Sequence, residues 1–188
     1  MYNNLKKYET IGCCGIDCGL CPRFYTKGDS ACPGCGGLNF SEKHPSCGIL
    51  NCCVIKHGFE VCSECKDYPC KRFDAEKDGY DSFVTHKKVF TNLSFIKDNG
   101  IEPFIENQKI RIDILMDLLT HYDDGRSKSF FCLSCALIPA KKLEEILAFA
   151  HSLKGELELK EKSKLIKNTM TGIAASEQLE LKLNKKNF

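Results

Sequence analysis

Cysteine is the residue type in this chain whose number and spacing most clearly indicate chemistry. Of the 14 cysteines, 12 lie between Cys13 and Cys70, and only Cys132 and Cys135 fall outside that window. The window contains three C-x2-C pairs, and this spacing places two thiols on one turn, close enough to bind one metal ion. The pairs are Cys18-x2-Cys21, Cys32-x2-Cys35 and Cys62-x2-Cys65.

Metal binding and disulfide formation are the two roles that such a window allows. The first residues, MYNNLKKYETIG, contain neither the apolar segment nor the cleavage site of a secretory signal. We therefore expect a cytoplasmic protein, in which thiols stay reduced and cysteine clusters bind metal. The doublets Cys13-Cys14 and Cys52-Cys53 also suit alternative ligands better than regular disulfides.

Zinc is the first metal that these pairs predict, because four thiolates bind Zn²⁺ tetrahedrally. Spacing alone leaves the grouping of the ligands open. Cys32 and Cys35 could share a site with Cys62 and Cys65, or with Cys47 and either Cys52 or Cys53; Cys18 and Cys21 would need two further ligands, such as Cys14 and Cys70.

A [4Fe–4S] cluster is the alternative cofactor. Cys14, Cys18 and Cys21 have the C-x3-C-x2-C spacing of radical S-adenosylmethionine enzymes, and counting from Cys13 gives C-x4-C-x2-C, the plant-ferredoxin spacing. The chain shows no alternation of strands and helices for a barrel. We therefore expect zinc first and an iron–sulfur cluster second.

The other candidate residues have simpler explanations. His44 and His57 could bind metal, but we expect surface histidines. Cys132 and Cys135 lie in the apolar run FFCLSCALI, which indicates core packing rather than metal binding. The segment 121–124 predicts a solvated turn, and no Gly-rich phosphate loop, Ser-His-Asp order or H-E-x-x-H motif is present.

The composition of the chain changes near residue 71. Residues 1–71 are rich in cysteine and glycine, which predicts a region held together by metal, and residues 72–188 are mainly helical in pattern, packed with the first region as one unit. The net charge is +2, so a concentrated basic face for nucleic acid is not expected. No apolar run is long enough to span a membrane.

Apolar periodicity predicts five helical segments and two strands after residue 71. Helices are expected over about 83–96, from Pro103 to about Leu119, over 130–138 and over 143–150, and a further helical pattern covers 165–173. Leucines alternate with polar residues at 157–159 and at 179–183, which predicts short strands. The predicted fold class is therefore α+β, with a mainly helical second part and short strands near the end.

Four motifs together resemble the bacterial and archaeal family called domain of unknown function 3795. The motifs are CGIDCGLCPRF, CPGCGG, CSECKDYPC and DGRSKSFFCLSCALIP, and the resemblance spans about Cys14 to Leu153. It implies a zinc-binding protein without an established activity. The metal ligands that it implies are Cys14, Cys18, Cys21, Cys32, Cys35, Cys47, Cys52, Cys62, Cys65 and Cys70, with Cys13, Cys53 and Cys135 as extra cysteines.

The sequence thus predicts a cytoplasmic, metal-binding protein in which zinc is structural. Ligands that are almost all cysteine favour closed structural sites over a catalytic zinc with an open position. Such a module would bind or regulate a partner such as a protein. The alternative is an iron–sulfur protein with a redox or metal-dependent enzymatic role.

Overall fold

The computed structural model describes residues 4–153, 155 and 157–186. Short 3-10 turns at Cys18–Leu20, Cys62–Glu64 and Lys71–Phe73, and a π turn at Asn51–Lys56, lie among the helices. The α-helices in chain order are α1 (Phe40–Lys43), α2 (Gly48–Leu50), α3 (Asp74–Lys77), α4 (Val89–Asn99), α5 (Ile101–His121), α6 (Lys128–Leu137), α7 (Ala140–Ser152) and α8 (Leu159–Ser176).

The described residues contain helices and turns but no strand, so the predicted α+β fold class is wrong. Leu159 begins α8 instead of a strand, because Ile166, Met170 and Ala174 repeat at helical spacing and are buried. Among the described residues, the second predicted strand, 179–183, has no neighbouring strand to pair with. An isolated extended segment forms no sheet ladder, and alternation alone does not supply one.

One helix boundary differs from its predicted position and another agrees with it. The helix expected from residue 83 begins only at Val89, because the Asp81 carboxylate accepts hydrogen bonds from the His86 amide and the Thr85 hydroxyl and fixes a turn there. The end of α6 at Leu137, two residues before Pro139, agrees with the predicted break.

The chain divides into two compact units. The first unit consists of residues 1–105 together with 183–188, so the composition change near residue 71 lies inside it. Its larger apolar cluster draws on α4, the start of α5 and the loops between the cysteines. The buried residues of that cluster are Ile11, Val61, Phe73, Val89, Leu93, Ile96 and Phe104.

The second unit, residues 106–182, is built from the greater part of α5 and from α6, α7 and α8. Helix α8 contacts α6 and α7. Arg111 on α5 donates from one nitrogen to the Cys135 and Ile138 carbonyls, both at 2.7 Å, so it satisfies carbonyls at the end of α6. Two buried hydroxyls, on Ser127 and Ser163, bond to each other at 2.7 Å.

None of the helices in the described part of the chain is long and apolar enough to cross a membrane. Helix α5 has the length, with 21 residues, but carries charged side chains along it. Helix α6 is apolar but has only 10 residues.

Candidate metal centre

The loop that carries Cys14 and Cys18 is fixed against helix α4. The Asn92 side-chain amide donates to the Gly15 carbonyl and to the Asp17 carboxylate, both at 2.9 Å. Gly15 has φ +91°, and a Cβ added there would lie 2.6 Å from the Val89 carbonyl oxygen. Only glycine permits this backbone conformation and this close approach, so α4 sets the position of the cysteine loop.

The turn that carries Cys32 and Cys35 is fixed by the chain preceding Cys13. The Cys35 amide donates to the Glu9 carbonyl at 2.9 Å, and a Cβ on Gly34 would lie only 2.3 Å from that carbonyl oxygen. The Cys13 amide in turn donates to the Cys35 sulfur at 3.4 Å. The two sulfurs, Sγ of Cys13 and Sγ of Cys35, lie 3.7 Å apart.

Six cysteines line a single cavity of about 290 Å³ in the first unit. By comparison, one water molecule needs about 10–15 Å³ of such space. Its wall also carries apolar side chains, including Ile16, Phe40 and Val84, and the polar side chains of Arg23, His44 and Ser82. The cysteines on its wall are Cys14, Cys18, Cys21, Cys32, Cys35 and Cys47.

A second group of cysteines surrounds a smaller space of about 30 Å³ in the same unit. Tyr68 and Phe73 pack edge to face beside it, with ring centroids 5.0 Å apart. Its cysteines are Cys52, Cys53, Cys62, Cys65 and Cys70.

The structure therefore divides the ten predicted ligands into a set of six and a set of four. Cys32 and Cys35 share their cavity with Cys47, whereas Cys62 and Cys65 line the smaller space. Cys14 shares the larger cavity with Cys18 and Cys21, and Cys70 lies beside the smaller space. The grouping in which Cys32 and Cys35 share a zinc site with Cys62 and Cys65 would need ligands from both sets.

All 14 cysteines lie within the described residues, and all are free thiols. Burial raises the pKa of the Cys14 thiol to about 12, and it also raises the pKa values of Cys18 and Cys21. Without a cation, these groups are therefore neutral at pH 7. A bound metal cation reverses this preference, since a coordinating thiol is deprotonated outright.

The donor set fits a thiophilic metal group, although the thiols are not arranged around a single point. In the part of the chain that the structure describes, no group of three or more His, Cys, Asp or Glu side chains is placed to hold one metal ion. Four sulfurs around one zinc lie about 3.8 Å apart, as follows from Zn–S bonds of about 2.3 Å. The Cys13–Cys35 sulfur–sulfur distance of 3.7 Å is close to that value.

The histidines beside the two groups of cysteines are engaged with aromatic rings. The His44 ring stacks on Phe40 with centroids 4.6 Å apart, and the His57 ring stacks on Phe59 at 5.6 Å. Both histidines border a cysteine group and are exposed overall, as predicted.

Cys132 and Cys135 are buried in α6, with 1% and 0% of their surface exposed, which confirms the predicted packing. They belong to the second unit, whereas the other cysteines belong to the first. Cys13 and Cys53 are also buried, at 1% and 3% exposure, and contribute to an apolar cluster with Phe40 and Leu50. Each of the doublets Cys13-Cys14 and Cys52-Cys53 thus has one cysteine buried in this apolar cluster.

Sequence reasoning missed one group of polar residues in the first unit. Ser82 Oγ lies 2.9 Å from His86 Nε2, and His86 Nδ1 lies 2.7 Å from a Glu76 carboxylate oxygen. Ser82 and His86 are four residues apart outside any regular helix, and Glu76 precedes both, so no sequence motif indicates the contact. A search for Ser-His-Asp order alone could not find a glutamate in this position.

Comparison with protein-family models, with curated proteins and with solved structures finds no match to this chain. The resemblance to domain of unknown function 3795 therefore stays a prediction from the motifs. No activity, substrate or cofactor comes to the chain from a relative.

Proposed function

We propose that this protein binds an iron–sulfur cluster through the cysteines of the 290 Å³ cavity. The presence of six cysteines in the wall of one cavity carries the proposal. The cavity is far larger than one metal ion, and a cluster fills the space between widely spaced thiolates with iron and inorganic sulfide. Cys14, Cys18 and Cys21 would supply three ligands, and the fourth would come from Cys32, Cys35 or Cys47.

The surroundings of the cavity support the same proposal. Asn92 and Gly15 hold the Cys14–Cys18 loop by contacts that do not use the thiols, so the ligands are preorganised. Apolar neighbours such as Phe40 limit the access of water. A bound cluster supplies one-electron transfer, and its reduction potential depends on such burial and on hydrogen bonds to the sulfurs.

Zinc is the second candidate, and the Cys13–Cys35 contact favours it. Their sulfur–sulfur distance of 3.7 Å matches the separation of about 3.8 Å in a tetrahedral zinc site. The group around Cys62 and Cys65 is the second place where zinc would bind, because its space of about 30 Å³ suits one ion better than a cluster. In either case we infer a reducing compartment such as the cytoplasm, where the free thiols persist.

Metal analysis of protein purified without oxygen tests the proposal. We expect iron and acid-labile sulfide in equal amounts, with broad absorption near 400 nm. Replacing Cys18 with Ala should remove most of that iron. Replacing Cys135 with Ala is the matched control, because this thiol is buried in the other unit.

The outcomes separate the two candidates. Colourless protein that contains zinc would overturn the cluster and favour the zinc alternative. Less than one mole of any metal per mole of chain, with the cysteines still reduced, would overturn metal binding altogether. Equal loss of iron in the Cys18 and Cys135 variants would show that the cavity is not the binding site.

A further inference from the structure

A line of hydrogen bonds runs from Glu76 through His86 to Ser82, and it ends in the exposed Ser82 hydroxyl. His86 and Glu76 are shielded, with 12% and 15% of their side chains exposed. Their nitrogen–oxygen distance of 2.7 Å indicates that Nδ1 donates to the carboxylate. The neutral imidazole then has its lone pair on Nε2, which lies 2.9 Å from Ser82 Oγ and can accept the hydroxyl proton.

The backbone around this line is fixed by one carboxylate. Asp81 accepts from the His86 amide at 2.5 Å through one oxygen, and from the Asn184 amide at 2.7 Å through the other. The Thr85 hydroxyl also donates to Asp81, at 3.3 Å. Asp81 is itself buried, so Ser82 and His86 are held at a set distance rather than brought together by chance.

The exposed end of the line has apolar and cationic neighbours. Phe83, the residue after Ser82, is 59% exposed. The Arg23 guanidinium lies 5.1 Å from the centre of its ring and the Lys185 ammonium 5.9 Å. Lys185 also donates to the Ser82 carbonyl. Positive charge beside the hydroxyl favours substrates that carry an anionic group.

We propose that Ser82 is the nucleophile of a hydrolytic site for carboxylic esters that bear a negative charge, a function beyond metal binding. His86 is the general base, and Glu76 is a positioning residue that holds the histidine tautomer. This inference depends on oxygen and nitrogen groups outside the cysteine set. Ser82, Phe83 and Arg23 also line the cavity of the six cysteines, so the test measures serine labelling and metal content separately.

The reaction balances with water as the only co-reactant. Ser82 Oγ forms a bond to the acyl carbon while its proton passes to His86 Nε2, and the alcohol leaves with that proton. Water then attacks the acyl-serine, gives one proton to His86 and releases the carboxylic acid as the Ser82 hydroxyl recovers that proton. The net change is ester plus water to acid plus alcohol.

A structural role for the same line predicts different behaviour. If the histidine only ties α3 to the following loop, the Ser82 hydroxyl would be no more reactive than any other surface serine. Ser152, whose hydroxyl donates to the Phe149 carbonyl at 2.7 Å on an exposed helix end, serves as that reference.

The test uses the full chain with the metal that it carries after anaerobic purification. A fluorophosphonate labels activated serines: the Ser82 oxygen would bond to phosphorus, and fluoride would leave. We expect up to one label per chain, located on Ser82 by peptide mass. Ser82→Ala should abolish labelling and leave metal content unchanged, and Ser152→Ala should change neither.

Variants of the two supporting residues test the roles of base and positioning group. His86→Asn should slow labelling by about 100-fold or more, the range expected for a general base. Glu76→Gln should slow it by about tenfold or more, and Glu76→Asp should restore part of the rate. His121→Asn replaces an exposed histidine of the second unit and should have no effect. Thermal unfolding of each variant checks that the fold persists.

Two ester probes test the proposed substrate class. Hydrolysis of 4-nitrophenyl hemisuccinate, which is anionic, should exceed that of neutral 4-nitrophenyl acetate, and Arg23→Gln should reduce this preference. Failure of the unmodified protein to react with the fluorophosphonate would overturn the proposal. So would labelling that persists in Ser82→Ala, or labelling that needs Ser82 but proceeds at an unchanged rate in a folded His86→Asn variant.

Discussion

The first and second units differ in how much regular backbone structure supports their buried side chains. In the second unit, helices of 10 to 21 residues place whole apolar faces together, including Phe131, Ile146 and Met170. In the first, α1, α2 and α3 have only three or four residues each, and three of the five buried side chains in the apolar cluster around Phe40 are cysteines. Helix packing therefore stabilises the second unit, whereas in the first unit the metal that we propose would add to a smaller contribution from regular structure.

Removal of the metal should produce the largest difference in stability between the two units. Structural metal contributes on the order of 10 kcal/mol per site to the folding of small domains. Treatment with a strong chelator should therefore release protection of amides in the first unit, while α7 and α8 keep theirs. Hydrogen exchange followed by mass spectrometry resolves the two units. Uniform protection after complete metal loss would remove the distinction between them.

Truncation of a core side chain in the second unit should have the next largest effect. Ile146 is fully buried, so Ile146→Ala should lower the free energy of unfolding of this unit by about 2–5 kcal/mol. Met116→Ala, at a side chain that is 45% exposed, is the control and should cost much less. Denaturation followed by circular dichroism measures both, and metal content should stay constant. A loss of metal in Ile146→Ala would show that the units are not separable.

A methyl group at Gly15 should disturb the first unit alone. The position has φ +91° and no room for a Cβ beside Val89 and Leu93, so Gly15→Ala should cost about 1–3 kcal/mol or more and weaken metal binding. Gly28 has φ +81° with nothing within 4 Å of an added Cβ. Gly28→Ala therefore isolates the cost of the backbone conformation. Equal metal affinity in the two variants would show that contact with α4 does not position the cysteine loop.

Alkaline pH should have the smallest effect of the four, a loss of stability in the second unit. Burial raises the pKa of Cys135 from 9.0 to about 12. The unfolded chain therefore loses this proton first, so the contribution of Cys135 is complete below about pH 9 and is lost as the pH rises towards 12. Between pH 8 and 10 the wild type should lose about 1.4 kcal/mol more stability than Cys135→Ala. Equal losses would show that the thiol becomes exposed before global unfolding.

The sequence predicted the helical elements better than it predicted the arrangement of the cysteines. Apolar residues three and four apart identified α6 and α7, because burial of one face follows directly from that period. The strand prediction at 179–183 was wrong, since alternation in a sequence does not show whether a partner strand exists.

The cysteine groups depend on contacts between distant residues, which explains why spacing alone could not assign them. Cys35 lies beside Cys13 because the Gly34 turn approaches Glu9, and that approach needs coordinates to be seen. The same is true of Ser82 and Glu76, which meet through His86. Spacing predicted which residues could bind metal, but the backbone decides which of them share a cavity.

The segment 183–186 returns to the first unit and closes a loop that contains the whole second unit. The Asp81 amide donates to the Asn184 carbonyl, and the Asn184 amide donates to the Asp81 carboxylate, both at 2.7 Å. The Asn184 side-chain amide donates to the Gly79 carbonyl at 2.9 Å. Tension applied between residues 4 and 186 would therefore stretch the first unit and these bonds before it reached any helix of the second. Under mechanical load, the second unit would therefore bear no force until the hydrogen bonds between Asn184 and the 79–81 segment break.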